Sequence, residues 1–155
     1  MKLSGTSSQC KKGIIKMKNL RILIVDDHDV VREGIRGFLS RRAGFEICGE
    51  AMNGPEAIQK TSKLKPDVVV VDLRIPDMDG MEVTRRIRKI CPKTEVVILT
   101  MYGSNENVRG AMSAGALGFV LKTQTGRDLA VAIESASQQW HFVSAEAAKS
   151  LRTTD

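Results

Sequence analysis

Apolar residues along this chain follow two alternating patterns: short, nearly continuous runs, and longer stretches in which they recur at helical spacing. The short runs are rich in Val, Ile and Leu and predict strands at residues 20–25, 45–50, 68–71, 96–99 and 117–121. The run of valines at 68–71 is typical of a strand that is buried on both faces, as central strands of parallel sheets are.

Between these strands, apolar residues recur three and four positions apart, which predicts helices. Gly44 and Pro92 mark where the first and third helices stop, and Pro55 lies in the first turn of the second. The apolar stripe of the last helix is predicted to contain Leu129, Ile133, Ala136 and Trp140.

Five strands that alternate with five helices predict an α/β fold of the (βα)5 type. Right-handed crossovers and helices on both faces lead to a flavodoxin-like, doubly wound, parallel five-stranded sheet with the order 2-1-3-4-5. In this order strands one and three are neighbours at the switch point, so the residues that follow them are expected to meet.

Polar side chains stand at the carboxyl ends of four of these strands. Asp26 and Asp27 follow the first strand, Asp72 the third, Thr100 the fourth and Lys122 the fifth. Clustered carboxylates repel one another and attract a cation, and oxygen ligands favour a hard ion such as Mg²⁺. A metal, a lysine and a hydroxyl together can hold the oxygens of a transferred phosphoryl group, with an aspartate as nucleophile.

The strand-end aspartates and Lys122 also have a purely structural interpretation. An aspartate at a strand end often caps the next helix, and a neutralising ion pair is the alternative explanation of Lys122 beside three acids. His28 most simply opens the first helix, although Asp27, His28 and Asp29 resemble a metal triad.

Charge is distributed unevenly along the chain. The net charge is +6, and residues 1–19 carry five lysines and no acid, which leaves +1 for the rest. We interpret residues 1–19 as a basic flexible arm. The three cysteines, Cys10, Cys48 and Cys91, are far apart and lack CxxC spacing, which favours free thiols in a reducing compartment.

The stretches VDLRIPDMDGMEV and GALGFVLK, together with the five strand-end residues, resemble the receiver domain of two-component response regulators. The intervals between Asp27, Asp72, Thr100 and Lys122 resemble those of the NarL/FixJ (LuxR-type) subfamily in particular. The resemblance covers about residues 20–140. We therefore divide the chain into the arm (1–19), a receiver domain (20–141) and the start of a linker to a missing output domain (142–155).

The resemblance implies a role for each site residue. Asp72 is the expected phosphorylation site, and Asp26, Asp27, Asp72 and the backbone carbonyl of Arg74 are the expected Mg²⁺ ligands. Thr100 and Lys122 are expected to bind the phosphoryl group, with Phe119 as the aromatic that moves with Thr100. Arg74 and Tyr102 are expected to tune hydrolysis, and the Lys122–Thr123 peptide is expected to be cis.

The expected partners also follow from the resemblance. They are a sensor histidine kinase, a second copy of the chain after phosphorylation, and DNA only through the absent output domain. The dimer face is expected on the fourth and fifth helices, with the first and fifth as the alternative. No run is long and apolar enough to span a membrane and no signal peptide is evident, so we expect the cytoplasm and no membrane contact.

Two other classes of protein remain open from the sequence. An aspartyl phosphatase of the haloacid-dehalogenase type uses a similar residue set, but its nucleophile follows the first strand in a DxDx[TV] motif, which residues 27–31 fit imperfectly. A stand-alone receiver that acts by protein contact is the other. We expect a phosphoacceptor that loses its phosphoryl group slowly, and not a turnover enzyme.

Overall fold

The computed structural model describes residues 19–152, and the basic arm predicted for residues 1–19 lies almost entirely outside that range. The strands are β1 (Leu20–Val25), β2 (Phe45–Ala51), β3 (Val68–Val71), β4 (Glu95–Thr100), β5 (Gly118–Leu121) and β6 (Phe142–Val143). The helices are α1 (Asp29–Ser40), α2 (Gly54–Leu64), α3 (Gly80–Ile90), α4 (Asn105–Ala114), α5 (Ala130–Ser137) and α6 (Ala145–Arg152).

The strands form one parallel sheet with the order β2-β1-β3-β4-β5-β6. The predicted order of the first five strands is confirmed, but the predicted number is wrong because β6 adds to the edge beyond β5. The backbone amide of Phe142 donates to the carbonyl of Leu117 over 2.9 Å, and the amide of Ser144 donates to Phe119 over 2.9 Å. These bonds satisfy edge groups of β5 that a five-stranded sheet would leave unpaired.

Each face of the sheet has its own apolar core. On β3, Val69 and Val71 face one core, and Val68 and Val70 face the other. All four valines are buried, as expected for a strand that is covered on both faces. α2, α3, α4 and α6 contribute to the first core, and α1 and α5 to the second.

The caps show why the helices begin where they do. The side chain of Asp79 accepts hydrogen bonds from the amides of Met81 and Glu82 at the start of α3. Asn53 caps α2 in the same way, with Pro55 in the first turn. α5 is shorter than predicted: it ends at Ser137, and Trp140 lies beyond it with 64% of its surface exposed.

The connection from β5 to α5 differs from the prediction in a second respect. All peptide bonds within residues 19–152 are trans, so the predicted cis bond between Lys122 and Thr123 is wrong. Lys122 begins a 3₁₀ turn in which its carbonyl accepts from the backbone amide and the hydroxyl of Thr125. The turn and the ion pairs of its ammonium hold Lys122 without the unfavourable cis isomer.

No helix within residues 19–152 combines the length and the apolar character that a membrane span requires.

Candidate functional site

The acidic residues meet because β1 and β3 are paired in register. Val25 lies opposite Val71, so Asp26 and Asp72 leave the sheet at the same level. The amide of Asp72 donates to the carbonyl of Val25 over 3.3 Å, which ties the two strand ends together. Asp26 and Asp72 are only 2% and 6% exposed, so their charges need compensation inside the protein.

Lys122 provides part of that compensation. Its Nζ lies 2.7 Å from Oδ2 of Asp26 and 2.6 Å from Oδ2 of Asp72. Burial by itself would lower the pKa of Lys122, but the hydrogen bonds and charges of the two aspartates outweigh burial and raise it. The ammonium is therefore charged at neutral pH and bridges the first and third strand ends.

Asp27 has a carboxylate oxygen that suits a cation. Its Oδ1 is enclosed and accepts no hydrogen bond from the described residues, although Nδ1 of His28 lies 3.1 Å away. One donor atom each from Asp26, Asp27 and His28 lie within 4.8 Å of one another. An enclosed carboxylate oxygen without a donor is costly, and a bound cation removes that cost.

His28 has two roles in the structure. It is the residue before α1, as the sequence predicted, and its backbone amide donates to Oδ1 of Asp26 over 2.9 Å. Its ring lies beside both carboxylates, with Nδ1 3.2 Å from Oδ1 of Asp26. This contact was not predicted, and its signal in the sequence is the position of His28 directly after the acid pair.

Thr100 and Phe119 lie on the strands between Asp72 and Lys122. Thr100 is completely buried at the end of β4, and its Oγ1 accepts a hydrogen bond from the amide of Tyr102 over 3.3 Å. Phe119 is also completely buried, on β5, where it pairs with Ile98 of β4 and Val143 of β6. Phe119 thus belongs to the core under the site.

Arg74 and Tyr102 form a contact at the rim. The guanidinium carbon of Arg74 lies 3.9 Å from the centre of the Tyr102 ring, within the range of a cation–π interaction. The amide of Arg74 donates to Oδ1 of Asp72 over 3.2 Å. The amide of Tyr102 donates to Oγ1 of Thr100, so the backbone of each residue of the pair contacts one residue of the site.

The arrangement can accept and stabilise an anionic group. Asp72 offers a nucleophilic oxygen, Lys122 a fixed positive charge and Thr100 a hydroxyl, while Asp26 and Asp27 offer ligands for a hard cation. The Arg74 carbonyl remains a predicted ligand.

Comparison with known proteins shows the family to which this chain belongs. The protein-family model described as the response regulator receiver domain matches residues 22–134 of this chain. The response regulator protein VraR of Staphylococcus aureus is 40% identical over 119 residues, which are 77% of this chain and 57% of VraR. The chain therefore spans little more than half the length of this relative.

Two solved structures superpose on this chain over nearly their full length. A LuxR-family two-component response regulator from Aurantimonas sp. SI85-9A1 is 35% identical with a TM-score of 0.83, over 87% of this chain and 96% of that one. The receiver domain of the putative response regulator NarL from Mycobacterium tuberculosis is 30% identical with a TM-score of 0.75, over 78% and 98%. The chain belongs to the receiver domains of two-component response regulators and is consistent with the NarL/FixJ type.

Proposed function

We propose that this receiver is a phosphoacceptor in which Asp72 takes a phosphoryl group from a phosphohistidine of a sensor histidine kinase. The observation that carries the proposal is the bridge from Lys122 to Asp26 and Asp72 at the carboxyl edge of the sheet. A partly buried lysine between two carboxylates offsets their charge and sets a positive charge where phosphoryl oxygens gather.

The transfer is a substitution at phosphorus. A carboxylate oxygen of Asp72 forms a new P–O bond while the P–N bond to the kinase imidazole breaks. The electron pair of that bond remains on the imidazole nitrogen, which takes up a proton, and Asp72 becomes an acyl phosphate. The amide of Arg74, which donates to Oδ1 of Asp72, orients the carboxylate for this step.

We assign a Mg²⁺ site to Asp26, Asp27, Asp72 and the backbone carbonyl of Arg74. The enclosed Oδ1 of Asp27, which accepts no hydrogen bond from the described residues, supports this assignment. When bound, Mg²⁺ offsets the negative charge of the phosphoryl group beside the carboxylates. Lys122 alone leaves the three acids with a net negative charge.

After transfer, Lys122 pairs with a phosphoryl oxygen, and Thr100 turns its hydroxyl inward to donate to another. Phe119 adjusts with Thr100 because both are completely buried on adjacent strands. Arg74 and Tyr102 at the rim regulate the access of water and hence the hydrolysis of the acyl phosphate.

Since relatives such as VraR are longer, we propose that phosphorylation promotes self-association and that a separate output domain binds DNA. We propose that the chain works in the cytoplasm, and that it does not bind a specific DNA site by itself. Sedimentation with and without beryllofluoride tests self-association, and an unchanged monomer contradicts it.

Intact-mass measurement tests the phosphoacceptor proposal. Incubation with acetyl phosphate and Mg²⁺ is expected to add one phosphoryl group, with no addition after chelation of Mg²⁺ or in Asp72→Asn. Phosphate release from an added phosphate ester should not exceed one equivalent per chain. Repeated turnover favours a phosphatase, and full phosphorylation of Asp72→Asn contradicts the proposal.

A further inference from the structure

Arg32 places a guanidinium directly against the acidic site. Its Nη1 donates to the backbone carbonyl of Asp26 over 2.6 Å, and its side chain is only 11% exposed. This bond fixes the peptide at which the chain leaves β1, immediately before Asp27. Arg32 has no signal in the sequence, because its position in α1 does not show that its side chain reaches back to the strand end.

A buried positive charge at this position opposes the binding of a cation. The site already contains the ammonium of Lys122, which contacts two of its three carboxylates. A second uncompensated cation would leave little net negative charge for a divalent ion, and charges in a partly buried site are weakly screened.

Two carboxylates compensate Arg32. Its Nε lies 3.1 Å from Oε1 of Glu50, and its Nη2 lies 2.5 Å from Oδ1 of Asp29. Glu50 also pairs with Arg36, over 2.5 Å between Nη1 and Oε2. Burial by itself would raise the pKa of Glu50, but the hydrogen bonds and charges of Arg36 and Arg32 outweigh it and lower the pKa. Glu50 is therefore ionised at neutral pH.

We propose that Glu50 is a positioning residue for the metal site: it holds Arg32 against the Asp26 carbonyl and cancels the charge that would repel the cation. Glu50 lies near the end of β2 and follows none of the strand ends that carry the site residues. The inference rests on the proposed function, because it concerns the affinity of the same site for Mg²⁺.

Calorimetric titration of the purified chain with MgCl₂ tests this role. Glu50→Gln keeps the shape of the side chain and removes its charge, and we expect Mg²⁺ affinity to fall about three- to tenfold, as expected for one uncompensated charge near the site. The loss should persist at high ionic strength, because Arg32 is only 11% exposed and salt screens a partly buried charge weakly. Glu50→Asp should retain most of the affinity.

Two further variants separate charge from mere structural support. The double variant Arg32→Gln/Glu50→Gln also lacks the positive charge of Arg32, so its Mg²⁺ affinity should be higher than that of Glu50→Gln. A purely structural role of Glu50 predicts no such recovery. Glu134→Gln is the matched control, since Glu134 pairs with Arg42 in an exposed contact. Its Mg²⁺ affinity should equal that of the unmodified chain.

The outcomes distinguish this inference from the proposed function. If the unmodified chain does not bind Mg²⁺, or if Asp27→Asn leaves its Mg²⁺ binding unchanged, the proposed function fails. If that binding is present but a folded Glu50→Gln binds Mg²⁺ as the unmodified chain does, the inference alone is overturned. If Glu50→Gln does not fold, Asp29→Asn is the second test, because Asp29 also pairs with Arg32 and is 84% exposed. Asp29→Asn should weaken Mg²⁺ binding as well, and an unchanged Mg²⁺ affinity of this variant overturns the inference.

Discussion

The ammonium of Lys122 lies 2.6 Å from Oδ2 of Asp72, although the two residues are 50 positions apart in sequence. A second bond, over 2.7 Å, joins the same ammonium to Asp26. Lys122 is thus the residue that holds two buried carboxylates at one edge of the sheet, and its removal should affect both stability and chemistry.

Lys122→Met is expected to lower the free energy of unfolding by about 2 to 4 kcal/mol without Mg²⁺, since it leaves two buried carboxylates without their partner. Mg²⁺ should restore part of that loss, and urea unfolding with and without Mg²⁺ measures both effects. Lys149→Met, at a side chain that is 65% exposed, is the control and should change stability little. Equal stability of the two variants would contradict the role of Lys122.

Gly80 lets the start of α3 approach the chain directly after β3. A Cβ at this position would lie 2.4 Å from the carbonyl oxygen of Asp72 and 2.7 Å from Cα of Leu73. Gly80→Ala must therefore shift the backbone next to Asp72, and we expect a loss of about 2 kcal/mol or more together with slower phosphorylation.

Gly34→Ala is the matched control for Gly80→Ala. Gly34 also lies in a helix, α1, but an added Cβ there meets no atom within 4 Å. This change should raise stability by about 0.5 to 1 kcal/mol, through helix propensity alone. Thermal unfolding and phosphorylation rates of the two variants check the contrast, and a tolerant Gly80→Ala would refute the close approach.

The contact between Arg74 and Tyr102 predicts a change in the lifetime of the acyl phosphate. Arg74→Ala and Tyr102→Ala should each speed its hydrolysis, about three- to tenfold, and the double variant should be no faster than the faster single because both remove one interaction. Decay of the phosphorylated mass after removal of acetyl phosphate gives the rates. Met101→Ala, at an exposed neighbour, is the control, and strictly multiplicative effects would show that the two side chains act independently.

The lowered pKa of Glu50 predicts a dependence of stability on pH. Because the folded-state pKa lies below the ordinary value of 4.5, the ionised carboxylate stabilises the fold above that pH, and the contribution disappears as the pH falls through the folded-state pKa. The free energy of unfolding of the unmodified chain should exceed that of Glu50→Gln by about 1 kcal/mol at neutral pH, and by much less near pH 3. Urea unfolding at both pH values measures this difference. An equal difference at the two pH values would contradict the prediction.

Much of the fold could be predicted because strand burial and strand-end chemistry are local in sequence. The valines of β3 and the acids after β1 and β3 identified the sheet and its switch point before any contact was known. β6 was missed because Phe142–Val143 is too short for a periodic pattern and forms only where β5 offers an unpaired edge. Val143 and Ala147 therefore pack against the core of the domain, so this segment does not simply lead away from it.

Other features depend on long side chains, whose reach a sequence does not show. Arg32 contacts Asp26 across the loop between β1 and α1, and Arg74 stacks on Tyr102 from a different strand end. The cis peptide inferred for Lys122–Thr123 came from the family resemblance, and the trans turn shows that the ammonium reaches both carboxylates without it.

Identification of the modified residue tests the central claim most directly. The chain is incubated with acetyl phosphate and Mg²⁺, reduced with borohydride, which converts an aspartyl phosphate into homoserine, and digested for peptide sequencing by mass spectrometry. The account predicts homoserine at position 72, absent without acetyl phosphate. Modification of Asp26 or Asp27 instead, or of no aspartate in a chain that has gained a phosphoryl group, would contradict it.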